Sequence, residues 1–155
     1  MDLRAALETE TAASVGYRDL VSVPVAATIR EAVSAMQSQS VGCIAVLDGE
    51  RLAGVFTERD LVTRVLGPER SLDGALSEVM SRDPVVAEEH EPIHRVLARM
   101  HARGLRHIPV LGESRTPVGT ISIKRSVHFL SGVLPQAIFN LPPEPDRFPD
   151  RPEGG

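Results

Sequence analysis

Thr57 and Asp60 stand three residues apart where the apolar run Gly54-Val55-Phe56 ends, and a hydroxyl and a carboxylate at that spacing can do two things. They can cap a helix, the hydroxyl accepting from an amide three residues on while the acid reaches back. Alternatively the carboxylate can accept hydrogen bonds from a ligand's hydroxyls, with the helix N-terminus drawing an anion to the same spot. Both readings are open at this stage. Arg106 and His107 form a second candidate. A guanidinium can grip a phosphate bidentately, and a nearby phosphate favours a charged imidazole. A solvated arginine beside a half-buried histidine is the plainer alternative. Lys124 can add a third cation at the start of a helix, or be an ordinary surface lysine.

Other reactive side chains lack a supporting pattern. Of His90, His94 and His101, only the first two have helical i, i+4 spacing, and the helix is expected to begin between them, so no metal site is expected. The single cysteine, Cys43, lies in the apolar run Val41 to Val46 and reads as a small buried hydrophobe. There is no Gly-x-Ser-x-Gly, no cysteine paired with a positioned histidine and no phosphate-loop lysine, so no catalytic residue is expected.

Composition narrows the classes further. The 155 residues are 42% hydrophobic, enough for one domain or two very small ones with a core. A net charge of −4 and only five aromatics, Tyr17, Phe56, Phe129, Phe139 and Phe148, disfavour a basic groove with stacking platforms for nucleic acid. No apolar run approaches the roughly 20 residues of a membrane span, and the N-terminus lacks the pattern of a signal peptide. A cytoplasmic protein without membrane partners is the expectation.

The elements that would position these side chains follow in order. Residues 2–13 are Ala-, Leu- and Glu-rich and can form a short helix, but residues 1–14 carry no strong amphipathic stripe and are expected to be a mobile N-terminal arm. A short Val-rich strand around Val21 to Val25 precedes Thr28-Ile29-Arg30-Glu31, a capping box that opens a helix to about Gln39 with Ile29, Ala32, Val33 and Met36 on one face. Strands at 41–47 and 52–56 flank the turn Asp48-Gly49-Glu50, and a helix runs from Glu58 to about Leu66 until Gly67-Pro68 stops it. The order then repeats. Met36 to Val46 aligns with Met100 to Val110 at an offset of 64, and Gly54-Val55-Phe56-Thr57 aligns with Gly119-Thr120-Ile121-Ser122 at 65, which places one inserted residue in the second hairpin turn. The stretch Leu141 to Pro149 is too proline-rich for helix or sheet and reads as a disordered tail or a strap across a neighbour.

The duplicated unit, with Gly54-Val55-Phe56-Thr57-Glu58-Arg59-Asp60 closing the first copy and Gly104-Leu105-Arg106-His107-Ile108-Pro109-Val110 in the second, resembles the cystathionine-β-synthase (CBS) domain pair, or Bateman module. Leu76 to Pro84 also looks like that family's lead-in to a repeat, and the resemblance covers about 120 residues. It implies an α+β fold of tandem CBS repeats, each strand-helix-strand-strand-helix, packed as a pseudo-two-fold pair: an arm at 1–14, repeats at 15–70 and 71–134, and a tail at 135–155. It further implies a stand-alone regulatory module, usually a homodimer, that binds an adenosyl ligand such as AMP, ADP or ATP between its copies and carries no cofactor or catalytic group. The regulated protein is not named by the sequence. Carried over by position, Thr57 and Asp60 would hold the ribose, Arg106, His107 and Lys124 the phosphates, and Pro84, Val85 and Val86 the base, although those last three are equally good core residues.

One departure matters. Arg125 stands where Asp60 stands in the first copy, and an arginine cannot accept hydrogen bonds from a ribose. The first cleft is therefore expected to combine Thr57, Asp60, Arg106, His107 and Lys124, and the second to have only Ser122, Arg125, Gly42 and Cys43. One competent site per chain is expected, or, as the alternative, a structural dimerisation module whose sites are vestigial. The apolar faces at Leu61, Val62, Val65, Leu66 and at Val127, Leu130, Val133, Leu134 are what a homodimer would cover.

Overall fold

The computed structural model describes residues 2–133. Two copies of one unit emerge, each built on a four-stranded sheet. In the first copy, strand β2 (Ser22–Pro24) leads into helix α3 (Ile29–Gln39), then β3 (Cys43–Asp48), β4 (Arg51–Thr57) and α4 (Glu58–Asp60), which continues as a π-helix over Leu61–Leu66. In the second, β6 (Ala87–Glu88) is followed by α5 (Ile93–Arg103), β7 (His107–Leu111), β8 (Pro117–Ser122) and α6 (Ile123–Val133). Equivalent strands share register to the residue: Cys43 faces Thr57 and His107 faces Ser122, and both hairpins are irregular at the same place, after Val46 and after Val110. The extra residue of the second copy falls in the turn between β7 and β8, which contains a short 3₁₀ segment, Glu113–Arg115.

The α3 helix begins as its sequence dictates. Thr28 accepts from the Glu31 amide at 3.2 Å, and Glu31 accepts from the Thr28 amide at 2.7 Å. Ile29, Ala32 and Met36 are buried along the face that meets the sheet, and Val33 is partly buried beside them. Pro92 takes the corresponding place before α5, where its missing N–H leaves nothing unsatisfied.

Each sheet is completed by a strand from the other copy's lead-in. Strand β1 (Arg18–Asp19) pairs antiparallel with β8, and β5 (Ser81–Arg82) pairs antiparallel with β4, giving the orders β1-β8-β7-β6 and β2-β3-β4-β5. The exchange explains two glycines. A Cβ on Gly54 would lie 2.5 Å from the Ser81 carbonyl oxygen, and one on Gly119 would collide with the Tyr17 ring and the Arg18 carbonyl, so only glycine lets the crossing strands approach. The cores are exchanged in the same way. Leu76, Val79 and Met80 pack into the first cluster with Ile44, Val46 and Phe56, while Ala12 and Val15 pack into the second with Ile108, Val110 and Ile121.

Two expectations are corrected. Residues 1–14 are not a loose arm where the structure describes them: α1 (Leu3–Thr9) is capped by Asp2, α2 (Ala12–Val15) is capped by Thr11, and Ala6, Ala12 and Val15 are buried. The first-copy helix after Thr57 is α-helical for only one turn before widening to a π-helix. No described helix is long and apolar enough to cross a membrane. The proline-rich stretch expected as a tail lies outside the described residues.

Candidate functional site

The strand-turn-helix at Gly54 to Leu61 does what its capping pattern requires. Thr57 accepts from the Asp60 amide at 3.2 Å, and the Asp60 carboxylate accepts from the Thr57 amide and the Thr57 hydroxyl, each at 3.1 Å. Asp60 is 5% exposed, so its charge needs further partners. The Ser81 hydroxyl, delivered by the exchanged strand β5, donates to both carboxylate oxygens at 3.2 and 3.3 Å, and the Arg64 guanidinium lies 3.5 Å away. Arg64 in turn donates to the Val79 and Met80 carbonyls, tying the first-copy helix to the lead-in of the second copy. The carboxylate is thus the cap, and two of its three hydrogen-bond donors are the Thr57 and Ser81 hydroxyls.

Two cavities open between the copies, related by the pseudo-two-fold axis. The first, of about 320 Å³, is lined by Thr57, Glu58 and Arg59 from one copy and by Gly104, Leu105, Arg106 and His107 from the other, with Gly42 between. Thr57, Arg106 and His107 are therefore brought together as expected from sequence. Asp60 sits behind Thr57 and is not in that lining. The second cavity, of about 400 Å³, is lined by Arg18, Asp19, Val41, Cys43, Ser122, Lys124, Arg125 and His128, among others, and also by His107. Lys124 faces this second cavity and not the first; Arg59, at the equivalent position of the first copy, takes its place. Sequence reasoning missed Arg59 although the 65-residue offset pairs it with Lys124. It also missed Arg18, which lies outside any motif and is delivered by an exchanged strand.

The three residues expected around a base are elsewhere. Pro84 and Val86 line shallow depressions with Asp83, one beside Arg95 and Arg99 and the other beside Arg51 and Leu52. Val85 packs on the second core. Val85 also lines the depression beside Arg95 and Arg99, and none of the three lines the first cleft.

Electrostatics distinguish the site residues. Desolvation holds the His107 imidazole below its usual range; Glu58 pulls the other way and Arg106 reinforces the depression. Although His107 as a residue is exposed, its ring is the wall shared by both cavities. Burial pushes the Cys43 thiol up to about 12, with the Asp60 charge adding to it, so Cys43 is an inert wall atom. His94 is committed to the Leu7 carbonyl at 2.7 Å, and no group of three or more His, Cys, Asp or Glu side chains among the described residues is arranged to hold a metal ion.

Comparison with known proteins matches this geometry at the level of fold. The CBS domain family model matches twice, over residues 12–67 and 76–125. The uncharacterized protein YlbB of Bacillus subtilis is 36% identical over 94 residues, 59% of this chain, and the chain spans 64% of the length of YlbB. A CBS domain protein of Pyrobaculum aerophilum, PAE2072, solved in complex with AMP, superposes with a TM-score of 0.71 at 24% identity, covering 79% of this chain and 99% of that one. The CBS domain pair of MJ0100, solved with 5′-methylthioadenosine and S-adenosyl-L-methionine, superposes with a TM-score of 0.70 at 19% identity, covering 77% and 98%.

Proposed function

The chain belongs to the CBS domain family, and from that premise we propose that its first cleft binds an adenosyl ligand of the AMP, ADP or ATP class and that occupancy regulates a partner protein through a homodimer. One observation carries this: Thr57 and Arg59 of the first copy and Arg106 and His107 of the second converge on a single cavity, with the Asp60 carboxylate directly behind Thr57. A ribose diol displacing the Thr57 and Ser81 hydroxyls would find in Asp60 a pre-positioned double acceptor. Arg59, Arg106 and, once protonated, His107 supply charge for phosphates. AMP in the P. aerophilum protein and adenosyl compounds in MJ0100 support the ligand class. The exposed apolar side chains Val62, Leu66 and Val127 support the dimer, Val62 and Val127 being equivalent by the repeat. The role is regulatory and not catalytic. Calorimetry with AMP, ADP, ATP, NADH and S-adenosylmethionine tests the proposal: saturable binding of at least one, at one per chain, is expected, and no heat from any of them at about millimolar concentration overturns it.

A second reading has its own observation. Asp60 already accepts from the Thr57 amide and from the Thr57 and Ser81 hydroxyls and has Arg64 as an ion-pair partner, as in a site kept only for packing. The chain would then be a dimerisation module with vestigial clefts, and the acid would serve only its cap.

A further inference from the structure

The pseudo-symmetry that relates the two cavities changes two positions together. In the first cleft the exchanged strand brings Ser81 to Asp60, hydroxyl to carboxylate. At the equivalent positions the second cavity has Arg18 and Arg125. Substituting only the acid would leave a degraded copy of the first site. Substituting both partners for guanidiniums, with Lys124 beside them, makes a different one.

We propose that the second cavity is a separate binding site for a compact phosphate-type polyanion that needs neither ribose nor base. Three permanent cations, Arg18, Lys124 and Arg125, share its lining with one carboxylate, Asp19, and two histidines, His107 and His128. None of the three takes part in any ion pair among the described residues. The Arg18 guanidinium makes one long hydrogen bond, 3.5 Å to the Ser40 carbonyl, and that of Arg125 lies against Gly16. Cations that share one lining without an ion-pair partner repel, and the anion that best relieves this offers several oxygens to planar, bidentate donors, which is the geometry of phosphate. A cavity of about 400 Å³ accommodates an oligophosphate, and its apolar wall at Val41 and Cys43 leaves room for a small carbon skeleton. A nucleotide is not favoured here, because no carboxylate stands at the diol position.

The site is independent of the nucleotide proposal, and its test uses different ligands and variants. Tripolyphosphate and citrate are titrated by calorimetry into the wild type, the Arg18→Ala/Arg125→Ala double variant, Lys124→Gln and Asp60→Asn, each checked for folding by thermal melting. Tripolyphosphate is expected to bind at one per chain, to weaken at least about tenfold in the double variant and about threefold in Lys124→Gln, and to be unchanged in Asp60→Asn. AMP added first should not displace it. The proposal is overturned if tripolyphosphate fails to bind at about millimolar concentration, if Lys124→Gln and the double variant both bind it as the wild type does, or if AMP competes with it. Equal binding of citrate overturns the phosphate class.

Discussion

Removing the Asp60 side chain separates the two readings of the first cleft, because the structure gives the carboxylate a capping role and the proposed function adds a ligand role. In Asp60→Ala the Thr57 amide loses its acceptor, two hydroxyls must turn elsewhere, and Arg64 keeps only the Val79 and Met80 carbonyls. Loss of a capping partner costs about 0.5–2 kcal/mol and an orphaned, partly buried ion-pair partner adds a comparable amount, so a total near 2–3 kcal/mol is expected. For a chain of this size that lowers Tm by about 5–10 °C. Asp60→Asn keeps the shape and one carbonyl-type acceptor for the Thr57 amide, and should recover more than half of that loss. Ligand binding should not recover with it. A ribose diol would replace the Thr57 and Ser81 hydroxyls on Asp60, exchanging donors without adding to them, so the net contribution falls at the low end of charge-assisted hydrogen bonding, about 1.5–3 kcal/mol for the pair. AMP affinity measured by calorimetry well below the variant's Tm should drop about ten- to hundredfold in both substitutions. If Asp60→Asn binds AMP within about threefold of the wild type, the carboxylate is only a cap and the adenosyl assignment to this cleft is refuted.

Four further outcomes follow from individual environments. Since desolvation holds His107 below its usual range when the cleft is open, a bound phosphate must raise it; binding should take up protons, and affinity should strengthen as pH falls from about 8 through 6.5. Calorimetry in two buffers of different ionisation heat, with His107→Gln removing the protein's share of that uptake, checks this. The same depression fixes a stability sign: the unfolded chain takes up the His107 proton more readily than the folded one, so the wild type loses stability as pH falls below about 6.5 and through the lower folded value, and its melting should fall away from that of the non-titrating His107→Gln most at pH 5 and least at pH 7. The Cys43 thiol, at about 12 against an ordinary value of 9.0, should alkylate at pH 8 on the order of 10³-fold more slowly in the native chain than in urea; equal rates would contradict its burial. Gly119→Ala must push strand β1 and the Tyr17 ring off β8 and should destabilise by about 1–3 kcal/mol, whereas Gly132→Ala, in the open on α6, should be neutral or stabilising, both read from urea unfolding.

What the sequence discloses and what it conceals divide along the range of the interactions. Elements set within one turn are legible: the Thr28-Glu31 box, the Pro92 start and the Thr57-Asp60 cap all form as their spacing requires. The repeat is legible because the same local signals recur at one offset. Strands β1 and β5 were not, being two residues long and held by partners about 100 and 27 residues away in the chain; neither a period nor a propensity marks them. The docking of the helices of residues 3–15 is hidden for a related reason. Their sequence lacks a stripe because it is Ala-rich, and small side chains such as Ala6 and Ala12 bury fully by close approach without a strong moment.

The misplacement of Lys124 has a sharper cause, and it bears on how the clefts differ. Alignment by repeat number assigns each cation to a half, and the pseudo-two-fold then sends equivalent residues to opposite clefts: Arg59 lines the first and Lys124 the second, where the exchanged strand also delivers Arg18. With that exchange in place the positive charge does not converge on Asp60 alone. Arg59 and Arg106 accompany the acid, while Arg18, Lys124 and Arg125 gather where the acid is missing, and His107 belongs to both. If both proposed sites bind, sharing His107 would make each anion's binding a perturbation of the other's: a phosphate in either cavity would favour the charged imidazole, and the second would meet a cation already formed. The asymmetry between Asp60 and Arg125, which by sequence alone reads as the loss of a site, would then let one chain hold two different anions in communication.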